Sequence, residues 1–169
     1  MTPLPTVLLV AMLTLAWGCG ASASFRDGVY DDGTVRYRVG PRAGFERVEV
    51  EDNDLAFFNR HLGTITINST CSEYEDVPQD ALLNHLLFGT RERDFRVDEV
   101  LTLDGRGAKH VVVDVELDGV PLTLEIYLVK KDGCVYDLSH VSARSAPAEG
   151  QHAFRSFVAG FRVLETRLD

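Results

Sequence analysis

Few side chains in this 169-residue sequence are placed to do chemistry. Ser139-His140, just after Asp137, assembles the residue types of a nucleophilic hydrolase. On an extended strand, however, neighbours point to opposite faces, so Ser139 and His140 cannot meet as nucleophile and base within that strand. The five histidines, at 61, 85, 110, 140 and 152, form no H-x-H or H-x-x-x-H pair. Surface or partly packed imidazoles account for them better than a metal site, which needs clustered ligands. Asp104-Gly105-Arg106-Gly107 carries alternating glycines but reads as a hairpin turn, where a phosphate cradle needs a strand-to-helix turn. Glu51, Asp52 and Asp54 could hold Ca²⁺, yet the Gly and spaced Glu of a Ca²⁺ loop are missing, which favours a solvated turn. Asn68-Ser69-Thr70 fits the glycosylation sequon and is read as chance. No catalytic residue, cofactor or metal is expected.

The three cysteines carry the clearest chemistry. Leu4 to Trp17 is an uncharged apolar run, shorter than the roughly 20 residues that span a bilayer as a helix. Its length suits a signal-peptide core. Cys19, directly after Gly18, resembles a bacterial lipobox, the site of diacylation and cleavage. The expected layout is a signal peptide over 1–18, a lipidated Cys19 with a short tether over 19–27, and a single domain over 28–169. The match departs from the usual pattern: Ala16 stands where Leu is common, Trp17 is bulky, and no Lys or Arg precedes the apolar run. Ala21-Ser22-Ala23 therefore offers a second cleavage site, which would release a soluble periplasmic or secreted protein. If Cys19 is lipidated, Gly20 in place of a retention Asp points to the outer membrane rather than the inner. Beyond either site two cysteines remain, Cys71 and Cys134. An even number in an oxidising compartment predicts a disulfide; two buried thiols are the alternative.

A net charge of −9 excludes a nucleic-acid role, since a phosphate backbone is held by Lys and Arg. It also gives no attraction to anionic lipids, so membrane attachment requires a covalent or protein anchor. With 45% hydrophobic and 25% charged residues, the composition is that of a folded domain.

The elements that must position these residues are mostly strands. Asp27-Gly28, Asp104-Gly105, Asp118-Gly119 and Asp132-Gly133 each sit beside β-rich segments. Asp-Gly suits the type I′ turn, whose two central residues need φ > 0. The last three recur every fourteen residues and predict a four-strand antiparallel meander over Phe95 to Ala143. Short strands are expected at Phe45–Val50, Leu55–Asn59 and Thr64–Ser69. Leu82, Leu83, Leu86 and Leu87 give a helical stripe ending at Gly89, with Asp76 and Gln79 as its capping box. Phe154, Phe157, Val158 and Phe161 mark a second helix over Glu149 to Phe161, and Arg162–Thr166 a short edge strand. The fold class is α+β: a central antiparallel sheet of hairpins and meander with two main helices packed on it.

Several segments together carry a family resemblance: Gly40-Pro41 followed by Gly44-Phe45-Glu46-Arg47-Val48, the meander, Cys134-Val135-Tyr136-Asp137-Leu138, and the Phe-x-x-Phe-Val-x-x-Phe helix. Over about Tyr30 to Glu165 the chain looks like the PsbP-like domains, which share a fold with the Ran-binding Mog family and several small bacterial lipoproteins. The resemblance implies a central antiparallel sheet with helices on it, and a role as adaptor or accessory subunit; a few members bind small apolar ligands. It transfers no functional residue.

Val112, Tyr127 and Val129 lie among charges on the meander's second face. Two readings stand: cover by the second helix, or a patch that docks a protein partner. The expected function is a binding or accessory lipoprotein of an envelope protein complex, without catalysis. The alternative is a carrier holding a small apolar or lipid-like molecule between sheet and helix.

Overall fold

The computed structural model describes residues 23–71 and 76–168. The apolar run over 4–17, Cys19 and the first two residues of the Ala21-Ser22-Ala23 site lie outside the described residues.

All strand pairing is antiparallel and divides into two sheets rather than one. The smaller contains β1 (Ser24–Arg26), β2 (Val29–Asp31), β3 (Val35–Arg38) and β11 (Arg162–Thr166), in the order β1-β2-β3-β11. The larger contains β4 (Glu46–Val48), β5 (Leu55–Asn59), β6 (Gly63–Cys71), β7 (Arg91–Leu103), β8 (Arg106–Leu117), β9 (Val120–Lys131) and β10 (Cys134–Ala143). Its order is β4-β5-β6-β10-β9-β8-β7, so the expected meander is present as four strands of seven. β1 consists of residues assigned to the tether. The Asp27-Gly28 turn folds them onto β2, and Phe25 meets the Phe57 ring edge-on at 5.6 Å.

The four Asp-Gly turns share one conformation, with Asp at φ 49–52° and Gly at φ 76–80°. Positive φ at both centres is the type I′ geometry, whose twist matches that of the strands it joins.

The meander's alternation sorts its side chains onto two covered faces. Val111, Val113, Val115, Leu124 and Ile126 pack under Leu83 and Leu87 of helix α1 (Gln79–Leu86) and the residues just after it. The opposite face packs against helix α2 (Glu149–Ala159) and the small sheet, through Phe154, Phe157, Phe161, Tyr30 and Tyr37. Where α2 ends, the backbones of Gly160 and Gly40 touch: a Cβ on Gly160 would lie 2.3 Å from the Gly40 Cα. Any larger residue at either position would push the small sheet off the helix.

The expected capping box does not form. The cap of α1 is Pro78, with no side-chain cap bond. Gln79 instead donates its amide to the carbonyls of Gly107 and Leu128 at 3.1 and 3.0 Å. Tying the helix to the sheet satisfies carbonyls there, which a local cap would leave to other partners.

Candidate functional site

The residues of the suspected hydrolase are separated by the pleat, as the sequence implies. On β10, Val135, Asp137, Ser139 and Val141 alternate with Cys134, Tyr136, Leu138 and His140. His140 is buried on the α2 side, where Nε2 lies 2.8 Å from the Leu62 carbonyl and the ring stacks on Phe154. Burial holds its pKa below the usual histidine value, with the Leu62 bond and Glu125 opposing.

Cys71 and Cys134 form a disulfide, with an S–S distance of 2.04 Å. They are direct cross-strand partners, because β6 and β10 are neighbours in the large sheet.

The proposed patch of Val112, Tyr127 and Val129 is not a surface. Their exposures are 4%, 7% and 0%. α2 and the small sheet pack on Tyr127 and Val129, and all three residues are left no area for a partner.

The same covered face holds a charged network of residues that strand alternation places on it, His110 and Glu125 among them. Glu125 is fully buried, and its Oε1 accepts from Arg155 Nε at 2.7 Å and lies 3.0 Å from His110 Nε2. His110 Nδ1 lies 2.9 Å from Glu99, and the imidazole stacks on Tyr127 at 4.1 Å. Burial pulls the His110 pKa down, but hydrogen bonds and charge from Glu125 and Glu99 outweigh it and leave it raised. Burial likewise pushes Glu125 up, while His110 and Arg155 hold it below the usual carboxylate value. Glu125 and Tyr127 lie on one strand face, with His110 the register partner of both Tyr127 and Glu99. A charged Glu within the apolar run of β9 was the available signal.

Among the described residues, two features that a ligand or partner could use stand out. The first is a pocket of about 350 Å³ between α1 and the large sheet, lined by Val77, Ala81, Leu82, His85, Leu86, Leu128, Val135, Thr70 and Asp137. It sits where the apolar strip under α1 gives way to the polar side chains of β6. Asp137 Oδ1 accepts from Asn68 Nδ2 at 3.0 Å, and Asn68 Oδ1 accepts from Asn53 at 2.7 Å. Burial raises the Asp137 pKa, with the Asn68 bond opposing. The second is an apolar tip. Phe88, just past α1, is 86% exposed, and Leu117 and Val120, paired across the Asp118-Gly119 turn, are 38% and 52% exposed. A Cβ on Gly89 would lie 3.9 Å from Leu117 Cδ1, which places Phe88's neighbour against the turn.

Among the described residues, no three His, Cys, Asp or Glu are grouped to hold a metal ion, and no helix is long and apolar enough to cross a membrane.

No protein-family model matches the sequence. No curated protein sequence matches it. Solved structures do. LpqN, involved in cell envelope biogenesis of Mycobacterium tuberculosis, superposes with TM-score 0.59 at 13% identity, over 81% of this chain and 87% of that one. Cyanobacterial PsbP (CyanoP) from Synechocystis sp. PCC 6803 gives 0.51 at 13% identity, over 92% and 98%. A protein from Bacteroides thetaiotaomicron VPI-5482 gives 0.53 at 11% identity over 79% of this chain, which spans only 46% of that protein. At such identities the likeness is one of fold, and the chain adopts the PsbP-like fold that its sequence resembles.

Proposed function

We propose that this chain is a non-catalytic cell-envelope protein, tethered to a membrane through a lipidated Cys19, that serves as a binding or accessory subunit of a protein complex. The observation that carries the reading is the exposed tip of Phe88, Leu117 and Val120. A Phe at 86% exposure costs solvation and adds nothing to this core. Clustered exposed apolar side chains mark a place where another molecule covers them, and buried aromatic anchors dominate binding energy. The envelope role of LpqN, which shares the fold, supports the location, as do the leader and the Cys71–Cys134 bridge. In-cell crosslinking followed by affinity purification of the full chain tests the proposal. A stoichiometric envelope partner is expected; recovery of none under several growth conditions overturns it.

The pocket between α1 and the sheet favours a second reading, that of a carrier for a small apolar molecule. Its volume of about 350 Å³ and its apolar walls suit a ligand site.

A further inference from the structure

We infer that the pocket between α1 and the large sheet binds a small amphiphile with an apolar body and a single ammonium head, and that Asp137 receives the head. The inference rests on the carrier reading and adds the chemistry of the ligand. The apolar half of the site is built by Val77 and Leu82 on the helix side and Leu128 and Val135 on the sheet. Leu128 and Val135 are 1% and 7% exposed, so these walls are backed by packed protein. At about 350 Å³ the cavity lies near the lower end of the roughly 300–1,000 Å³ range of small-molecule sites. That admits one short chain or ring system and excludes a whole two-tailed phospholipid.

The polar end is oriented. Asn53 donates to the Asn68 carbonyl oxygen, which fixes the Asn68 amide so that its Nδ2 points at Asp137 Oδ1. Asn68 is the one hydrogen-bond partner of Asp137 among the described residues, and no ion pair reaches it there. An ionised carboxylate is acceptor-only with about four lone-pair sites, so Asp137 retains unused acceptor capacity at the wall of the pocket. A ligand ammonium meets that capacity with charge-assisted hydrogen bonds, roughly twice as strong as those of a neutral hydroxyl. A carboxylate head is repelled by Asp137, within a chain whose net charge is −9. The site therefore selects by sign.

Titration of the full chain with octylamine, octan-1-ol and octanoate, followed by amide shifts in ¹H–¹⁵N NMR spectra, tests this. Octylamine should bind at least about tenfold more tightly than either of the others, with shifts centred on Leu82, Val135 and Asp137. Asp137→Asn should bring octylamine down to the affinity of octanol. Ala81→Trp, which fills the pocket from the helix side, should weaken both, and it serves as the decisive variant if Asp137→Asn fails to fold. Equal binding of octylamine and octanol, preference for octanoate, or octylamine binding indifferent to both substitutions overturns the inference while leaving a carrier role standing. Binding of none of the three overturns both.

Discussion

By sequence Asp54 is one member of a solvated acidic turn, and the structure gives it a different part. Its Oδ2 accepts from Ser69 Oγ at 2.6 Å and from Tyr37 Oη at 3.2 Å, joining β6 to the small sheet. Burial raises its pKa to about 6, with the Ser69 and Tyr37 bonds opposing and Asp32 and Asp137 reinforcing. The folded state thus holds this proton more tightly than the unfolded chain, so the Asp54 contribution to stability falls as pH rises from 3.8 through about 6. Asp54→Asn should stabilise the protein by about 1–3 kcal/mol at pH 8, with the gain shrinking toward zero near pH 4. Urea unfolding at the two pH values checks this; a gain independent of pH would contradict it. Residues of this kind were the least legible in the sequence. Asp54 and Glu125 are both carboxylates near apolar strand positions, and only their tertiary cover decides that each is buried beside a donor.

At the scale of elements, period-two alternation and Asp-Gly turns made the meander readable because both are local. Each turn enforces antiparallel return and each strand sorts its own faces. The expected capping box of α1 does not form because Gln79 finds partners on the sheet, 28 and 49 residues away. Beyond β1, the strands of the small sheet were legible, but their separation into a second sheet was not, since β11 joins β3 from the other end of the chain. The Cys71–Cys134 bridge links neighbouring strands 63 residues apart in sequence. Holding that register in the unfolded chain removes loop entropy worth about 4 kcal/mol in the chain-entropy model. Reduction should therefore lower unfolding stability by about 2–4 kcal/mol. Thiol labelling of the denatured, unreduced domain should detect neither cysteine, and two reactive thiols would contradict the bridge.

For the molecule as a whole, both edges of the large sheet are unattractive to further strands. β4 is three residues long. β7 is long and exposed but charged, with register shifts between Arg91 and Asp94 and between Phe95 and Val97. Such edges discourage strand-to-strand association. The fold class was legible in the sequence. The tip was not, because only the packing of α1 on the sheet sets Gly89, the residue after Phe88, against Leu117 at the Asp118-Gly119 turn. Anchoring has its own test: Cys19→Ser should turn a detergent-phase, membrane-bound protein into a soluble or unprocessed one, and a wild type that is already soluble and begins at Ser24 would contradict the tether. The proposed role requires a partner at the tip. Site-specific photo-crosslinking in cells, with a photoreactive residue at Phe88 and a control at exposed Arg36 on the small sheet, addresses it most directly. A single dominant protein adduct from position 88, absent from position 36, is the predicted result; no adduct, or the same adducts from both positions, would contradict it.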